Sequence, residues 1–288
     1  MSVEISNPFF LPLGTQRYYH ALNYIKSLKP NFIIDFGCSE CSFLFYLSRN
    51  PGDLQYSIGV DQNNRTLLKG HRALSVPGVF YPHTRPYTVY LLQEDITKLS
   101  DDFISKYKNC PFITIIEVIE HLSLEDLELA SEQIFKKLNP MAVYLTTPNI
   151  EYNDIISQNF DKERREGKFR HVDHKFEWTR EEFRTWCNQI CTKYNYSGQV
   201  EGVGRCTNDD EKKFGFASHS ILFKNNFNLN ENRTFSPPEK FLYENTFQIK
   251  LEGEFDDVYD MKVENKGFLH EEEEEEYKDE LSNDINKE

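Results

Sequence analysis

The chain has 288 residues, of which 39% are hydrophobic and 14% aromatic, and it carries a formal net charge of −14. This length and composition allow one large α/β domain with a sizeable core and an appended segment. The sequence contains no run of about 18 apolar residues, and its first residues, MSVEISNPFFLPLG, lack the basic-then-apolar layout of a signal peptide. We therefore expect no membrane-spanning helix, no secretion and a cytoplasmic location.

The negative charge is concentrated near the C-terminus. Residues 231–288 hold 19 acidic and 7 basic side chains, a net charge of −12, whereas the other 230 residues hold 28 and 26, a net charge of −2. The nearly neutral part of the chain can therefore carry local basic patches that bind phosphate. The final stretch, FLHEEEEEEYKDELSNDINKE, is predicted to be disordered because such a charge run cannot bury enough apolar surface to fold.

Apolar strands alternate with helical segments along most of the chain. NFIIDF, YSIGV, YTVYLLQ, FITII and MAVYL read as strands, and helical segments separate strands along the chain. A later helix starts after Thr179, with Glu182 completing a capping box, and FASHSILFKN supplies a last strand. This order predicts a doubly wound α/β fold, with a mostly parallel sheet of the seven-stranded type and helices on both faces.

Composition divides the chain into four segments. We expect an N-terminal extension at 1–14, the α/β domain at 15–226, a polar linker with a candidate extra strand at 227–266, and an acidic disordered tail at 267–288. No internal repeat is visible in the sequence.

Acidic residues follow the first four predicted strands, namely Asp35, Asp61, Asp95 and Glu117. Ligands of open parallel sheets bind at this edge, and a carboxylate after the second strand can accept both ribose hydroxyls of an adenine nucleoside. The first turn, DFGCSECS, has one glycine where a dinucleotide fingerprint has three, and no triphosphate loop is present. The pattern therefore favours S-adenosylmethionine, which has no pyrophosphate, over a nicotinamide cofactor, and it is similar to the methyltransferase version of this fold.

The first turn also contains a CxxC pair, Cys38 and Cys41. Such a pair is compatible with redox chemistry or with half of a zinc site. No second CxxC pair follows, so we expect reduced and mostly buried thiols.

A carboxylate and imidazole cluster follows the fourth strand. If a helix begins near Glu117, then Glu117, Glu120 and His121 share one helix face. Taken alone, this face is more simply a solvated helix surface. A second cluster, RHVDHKFEW, follows the fifth strand, and two carboxylates with two imidazoles would complete a mononuclear divalent-metal site.

Three motifs, EVIEHL, TTPNIEYN and DHKFEWTREEFRTW, resemble the Hua-enhancer-type small-RNA methyltransferases over roughly residues 17–223. The resemblance implies a Rossmann-like S-adenosylmethionine-dependent domain. It places the catalytic metal ligands on Glu117, Glu120, His121 and His174. It places the cofactor contacts on Asp35, Gly37, Cys38, Ser42, Asp61 and Asp95. The chain departs from the family pattern at Ser39, where a second glycine is usual, and at Asp95, where a small polar residue is usual.

The resemblance also implies an activity, which is methylation of the 2′-hydroxyl of the 3′-terminal nucleotide of single-stranded small RNAs. The compact layout of this chain is similar to that of the animal members of the family, which act on Piwi-interacting RNA. Small interfering RNA (siRNA) is an alternative substrate. One divalent ion can chelate the vicinal 2′ and 3′ hydroxyls of a terminal ribose and acidify the 2′-hydroxyl. We expect Mg²⁺, with Mn²⁺ or Co²⁺ as substitutes, a Piwi or Argonaute partner, a monomeric enzyme, and a location in the cytoplasm or in RNA granules.

A basic loop with interleaved aromatic residues lies between the metal-ligand motifs. Its candidate RNA-binding residues are Arg164, Arg165, Lys168 and Arg170. Such loops follow phosphates and stack bases in single-strand binders. A solvated loop without a ligand explains the same composition equally well.

Two other functions fit parts of the pattern. A metal-dependent methyltransferase for small molecules with vicinal hydroxyls would also use a chelated cation, although the basic loop would then have no purpose. A catalytically idle adaptor could use the acidic tail to bind a partner, but it would have no need of the four metal-ligand residues.

Overall fold

The computed structural model describes residues 11–49, 51–75, 86–159, 169–205, 211–227 and 235–247. Within these ranges the strands are β1 Phe32–Phe36, β2 Tyr56–Asp61, β3 Tyr87–Gln93, β4 Phe112–Ile116, β5 Ala142–Pro148, β6 Tyr196–Ser197, β7 Val200–Val203, β8 Ser218–Asn225 and β9 Tyr243–Phe247. The helices are α1 Leu13–Leu28, α2 Ser42–Arg49, α3 Asn64–Leu74, α4 Asp101–Tyr107, α5 Leu124–Ser131, α6 Asn153–Asn159, α7 Arg180–Tyr194 and α8 Glu211–Phe214. None of these helices is long and apolar enough to cross a membrane.

The strands form one sheet in the order β6-β8-β5-β4-β1-β2-β3-β9, with β7 also paired to β8. The five neighbouring strands β5, β4, β1, β2 and β3 are parallel to one another. Strands β8 and β9 run antiparallel to their neighbours. The predicted doubly wound, mostly parallel α/β fold is therefore confirmed. All residues of β1 and β5 are buried, as expected for central strands covered on both faces.

Local sequence signals account for where the helices begin. The Thr179 side chain accepts a hydrogen bond from the Glu182 amide, and the Glu182 carboxylate accepts one from the Thr179 amide, so the predicted capping box starts α7. Side chains of Asn63, Ser100 and Ser123 cap α3, α4 and α5 in the same way.

The chain after Asn226 contributes to the sheet. Strand β9 pairs with β3 through the register Tyr87↔Phe247 to Leu91↔Tyr243. Buried Tyr243 stacks on the His71 ring with centroids 4.8 Å apart, and Asn245 Nδ2 donates to Ser75 Oγ at 2.7 Å. The segment predicted as a linker with a candidate strand thus places that strand at the sheet edge. The extension before residue 11 and the acidic tail lie outside the described residues.

Truncating the chain after Phe227 is expected to lower the unfolding free energy by about 3 kcal/mol or more, because it removes buried aromatic surface and leaves the β3 edge unpaired. Truncation after Phe247 is the matched control and retains β9. Urea unfolding of both truncated chains measures the difference. Equal midpoints would show that β9 does not contribute to the stability of the domain.

Candidate active site

A cleft of about 830 Å³ opens at the carboxyl ends of β1, β2, β3 and β4. Its lining includes Asp35, Gly37, Asp61, Asp95, Glu117 and His121, and also Cys38 and Ser42. The residues expected to bind the cofactor and part of the cluster expected to bind a metal therefore face one common space. The parallel strands cause this proximity, because their carboxyl ends meet at one edge of the sheet.

The turn after β1 requires glycine at position 37. Gly37 has φ +68°, and a Cβ atom there would lie 2.5 Å from Val118 Cγ2. The Gly37 and Cys38 amides both donate to the Val60 carbonyl, at 2.8 and 3.1 Å. This turn is consequently held against both β2 and the loop after β4.

Backbone amides hold the side chains of Asp61 and Asp95, the acidic residues that follow the second and third strands. Asp61 Oδ2 accepts from the Ser39 amide at 2.9 Å, and Asp61 Oδ1 accepts from the Asn63 amide at 2.9 Å. Asp95 Oδ1 accepts from the amide and the hydroxyl of Thr97, at 2.8 and 2.7 Å. Both carboxylates are thus held in place at the cleft before any ligand binds.

The thiols of the first turn match the expectation from the sequence. Cys38 and Cys41 are free and buried, so the structure shows no disulfide between them.

Asp35 is a buried carboxyl at the base of the cleft. Its side chain is 3% exposed, and its Oδ1 accepts from Thr114 Oγ1 at 2.6 Å. Burial raises the pKa of Asp35 to about 7. In the cofactor-free protein this group therefore titrates near neutral pH, whereas an unfolded aspartate would be ionised there.

Asp35→Asn is expected to stabilise the cofactor-free protein at pH 8 by about 2–4 kcal/mol, since a pKa shift of one unit corresponds to about 1.4 kcal/mol. The raised pKa means that the Asp35 contribution is fully present below about pH 4 and is lost as the pH rises through about 7. The gain should therefore shrink at acidic pH. Urea unfolding across this range measures it, with exposed Asp53→Asn as the control; a pH-independent difference would contradict a buried, neutral Asp35.

Three of the four expected metal ligands lie together. Ligand atoms of Glu120, His121 and His174 are within 4.8 Å of one another, and the two imidazole centroids are also 4.8 Å apart. Partial burial, followed by the neighbouring His174 and His171, lowers the pKa of His121. The lowered pKa favours the neutral imidazole, which is the form that binds a metal.

Glu120 is a fully buried carboxylate with only one of its oxygens bonded. Its Oε2 accepts from Thr147 Oγ1 at 2.9 Å. Its Oε1 is buried and has no hydrogen-bond partner among the described residues, and the same holds for Oε1 of Glu117. Burial, and then the charge of Glu117, raise the pKa of Glu120 well above its usual range. A buried carboxylate oxygen without a partner is costly, and a divalent cation beside it would remove that cost. The donor set therefore fits a metal ion.

Glu117 lies next to this group but outside it. Its Oε2 forms an ion pair with Arg17 Nη2 at 2.7 Å, and Arg17 Nε donates to Ser218 Oγ at 3.0 Å. Arg17 lies one hundred positions earlier in the chain, on α1, and no pattern in the sequence pointed to it.

The expected helix start near Glu117 is wrong. Glu117 adopts a left-handed conformation with φ +56°, which interrupts any helix. A short 3₁₀ turn covers Ile119–His121, and α5 begins only at Leu124, after the Ser123 cap. The cluster is thus built on a strained turn and not on one helix face.

His174 is oriented by a carboxylate. Its Nδ1 donates to Glu177 Oε1, and both side chains are nearly inaccessible to solvent. That contact leaves Nε2 as the ring nitrogen available to a ligand. Metal-binding histidines commonly have such a carboxylate partner, which fixes the tautomer and the ring orientation.

Arg170, one of the expected RNA contacts, is half-buried and bonds to groups of the protein itself. Its guanidinium Nη2 donates to the Ala217 and Asn149 carbonyls at 2.8 and 3.2 Å, and its Nε donates to Asn153 Oδ1 at 3.1 Å. These internal acceptors give the Arg170 side chain a structural role that the sequence did not indicate. Arg164, Arg165 and Lys168 lie outside the described residues.

Comparisons with known proteins agree with this geometry. The chain is 33% identical over 233 residues to a small RNA 2′-O-methyltransferase from Xenopus tropicalis, covering 80% of this chain and 59% of the relative. It is 32% identical over 243 residues to one from Arabidopsis thaliana, covering 81% of this chain and 25% of the relative. The chain thus spans little more than half of the first relative and a quarter of the second. No family model matches the chain.

Solved structures show the same relationship. A crystal structure of the small RNA methyltransferase HEN1 matches with a TM-score of 0.64 and 29% identity, covering 84% of this chain and 29% of that chain. The methyltransferase domain of bacterial CtHen1 matches with a TM-score of 0.58 and 28% identity, covering 74% of this chain and 100% of that chain. The plantazolicin methyltransferase BpumL, at 17% identity and a TM-score of 0.52, shares the fold alone.

The fold with its cleft at the carboxyl ends of the strands is that of the Rossmann-like, S-adenosylmethionine-dependent methyltransferase class. Within that class, the chain is related to the small RNA 2′-O-methyltransferases over most of its length. The family resemblance inferred from the sequence motifs is therefore confirmed.

Proposed function

We propose that this chain transfers a methyl group from S-adenosylmethionine to the 2′-hydroxyl of the 3′-terminal nucleotide of single-stranded small RNAs, which protects that end. One observation carries the proposal: the buried Glu120 carboxylate, with His121 and His174, forms a metal-type cluster beside the cleft of a methyltransferase fold. The relatives' activity, named for small RNA, supports the choice of acceptor.

The lining of the cleft suits the cofactor in its polar groups. S-adenosylmethionine carries positive sulfonium and ammonium groups, and the lining supplies the carboxyl groups of Asp35, Asp61 and Asp95. Asp61, at the end of β2, would accept the ribose hydroxyls of the adenosine. The Gly37–Ser42 turn, which includes Cys38, would lie against the methionine part of the cofactor.

Glu120, His121 and His174 would hold the divalent cation, with Glu117 adjacent. When bound, the cation would act as a Lewis acid toward the hydroxyls of the acceptor ribose. Magnesium is the expected ion, although two imidazoles among the donors suit Mn²⁺ or Co²⁺ better.

The residues of the chain itself supply binding and orientation. The Arg17 ion pair neutralises Glu117 at the edge of the cluster, Thr147 fixes Glu120, and Glu177 fixes His174. These contacts hold the metal-binding groups at the carboxyl end of β4, next to the cofactor turn. A terminal ribose placed there lies beside the methyl donor.

The proposal extends to the biological setting on the basis of the family resemblance. It includes a small RNA whose 3′ end is presented by a Piwi or Argonaute protein, a monomeric enzyme, and action in the cytoplasm or in RNA granules. Arg164, Arg165 and Lys168 would follow the phosphates of that RNA.

A transfer assay distinguishes the three candidate functions. The full chain is incubated with methyl-labelled S-adenosylmethionine and Mn²⁺, together with either a small single-stranded RNA or a catechol. Label on the RNA supports the proposal. Label on the catechol alone indicates a small-molecule methyltransferase, and label on neither indicates an adaptor; either result overturns the proposal.

A further inference from the structure

The motif TTPNIEYN, residues 146–153, carries part of the family resemblance, and it contributes Thr147, the partner of Glu120, to the candidate site. It spans the end of β5 and a 3₁₀ turn, Ile150–Tyr152, and it ends at the first residue of α6. This path runs directly behind the Glu120, His121 and His174 cluster. Two of its polar side chains bond toward that cluster.

The first of these is Thr147. Its hydroxyl donates to Glu120 Oε2 at 2.9 Å, and both residues are fully buried. The bond leaves Oε1 of Glu120 as the oxygen without a partner in the described part of the chain. Thr147 therefore selects which carboxylate oxygen of Glu120 remains available to a cation.

The second is Asn153. Its Nδ2 donates to Glu177 Oε2, and its Oδ1 accepts from Arg170 Nε at 3.1 Å. A carboxylate can only accept and a guanidinium can only donate, so these two partners fix the orientation of the amide. Asn153 thus connects the half-buried Arg170 to the carboxylate that orients His174.

Glu177 depends on this contact because it is buried. Its Oε1 accepts from His174 Nδ1 and from the Arg170 amide at 2.6 Å, whereas its Oε2 accepts from Asn153. Without Asn153, a buried carboxylate oxygen loses its donor in the described part of the chain. The carboxylate then gains by rotating toward another donor, and rotation disturbs its bond to His174.

Asn149 anchors the motif itself. Its Nδ2 donates to the Phe214 and Phe216 carbonyls at 3.0 and 2.8 Å. Its own carbonyl accepts from Arg170 Nη2 at 3.2 Å. The positions of Thr147 and Asn153 are consequently set by a rigid backbone and not by a free loop.

We propose that Asn153 is a positioning residue of the metal centre, which acts on His174 through Glu177. The TTPNIEYN motif then fixes two ligands at once, Glu120 through Thr147 and His174 through Asn153. This inference rests on the proposed function, because it assumes that the cluster binds a divalent cation.

The test measures Mn²⁺ binding to the full, metal-free chain by calorimetry, without RNA. Asn153→Ala is expected to weaken Mn²⁺ binding about tenfold or more, the usual effect of removing a partner behind a metal ligand. Affinity for S-adenosylmethionine should stay within about twofold, since Asn153 does not line the cleft. Asn153→Asp keeps the shape of the side chain but places an acceptor against Glu177, so it should also lose Mn²⁺ affinity. This second variant is used if the alanine variant does not fold.

Glu151→Gln is the matched control. Glu151 belongs to the same motif, but its carboxylate pairs with Arg180 at 2.8 Å, away from the cluster. The control should bind Mn²⁺ within about twofold of the wild type. In a Glu177→Ala background, adding Asn153→Ala should change Mn²⁺ affinity no further, because its effect passes through Glu177.

Three outcomes overturn the inference. Wild-type Mn²⁺ affinity in both Asn153 variants would overturn the inference and leave the proposed function intact. A loss of Mn²⁺ affinity in Glu151→Gln equal to that in Asn153→Ala would indicate a general structural role for the motif. Absence of Mn²⁺ binding by the wild type would overturn the metal site itself, and the inference with it.

Discussion

Glu120→Ala is expected to abolish methyl transfer to RNA, with a fall of at least about three orders of magnitude. It removes the central buried carboxylate of the metal-type cluster, and each factor of ten in rate corresponds to about 1.4 kcal/mol. His174→Ala should have the same effect, because it removes one of the two imidazoles within 4.8 Å of Glu120. Both variants should bind S-adenosylmethionine normally, since neither residue lines the cleft.

The stability of Glu120→Ala should separate a functional role from a structural one. The carboxylate is fully buried with one oxygen unpartnered, and burial raises its pKa, so its removal should leave the thermal midpoint of the metal-free protein unchanged or higher. Glu128→Ala, which removes an exposed carboxylate on α5, is the matched control and should keep full activity. Near-wild-type turnover in Glu120→Ala or His174→Ala would remove the metal assignment.

An RNA whose terminal ribose lacks a free 3′-hydroxyl is expected to be methylated at least about one hundred times more slowly. The proposed site recognises the terminal nucleotide through both of its vicinal hydroxyls, so loss of one removes the positioning of the other. Positioning alone can contribute several kcal/mol to a rate. Initial rates on three otherwise identical oligonucleotides, with 3′-hydroxyl, 3′-deoxy and 3′-phosphate ends, give the comparison.

Internal sequence provides the control for this prediction. Two RNAs with different internal sequences and the same 3′-hydroxyl end should react at similar rates, because the cluster is expected to contact only the terminal sugar. If the 3′-deoxy RNA reacts as fast as the normal one, recognition through two hydroxyls is wrong.

The sheet and its ligand edge could be predicted because both depend on short-range patterns. Continuous apolar runs identify the buried strands β1, β4 and β5, and acidic residues directly after strands must meet at one edge of a parallel sheet. The α7 capping box is similarly local, since Thr179 and Glu182 satisfy each other's amides. These features need no knowledge of distant contacts.

The parts that could not be predicted depend on distant contacts or on unusual backbone. The Arg17–Glu117 ion pair joins α1 to the end of β4, and the left-handed conformation of Glu117 is not typical of its residue type. Strand β9 was only a candidate because its pairing with β3 lies more than 150 positions away in the chain.

Arg170 shows a different limit of sequence reasoning. A basic residue in a basic loop favours a solvent-facing role by composition alone. Arg170 is instead half-buried, because its guanidinium donates to the Asn149 and Ala217 carbonyls and to the side-chain Oδ1 of Asn153. These acceptors come from two segments distant from position 170, residues 149–153 and the segment around Ala217, so no local pattern around position 170 could reveal them.

The position of the methyl group on the RNA provides the most direct test of the proposed function. Periodate cleaves a vicinal diol, so a terminal ribose methylated on its 2′-oxygen resists it, whereas an unmodified end is oxidised. The wild-type chain, with labelled S-adenosylmethionine and Mn²⁺, should make the RNA periodate-resistant in proportion to the label that the RNA gains. RNA treated with Glu120→Ala should gain neither label nor periodate resistance. Labelled RNA that remains fully sensitive to periodate would place the methyl group elsewhere and contradict a 3′-terminal 2′-O-methyltransferase.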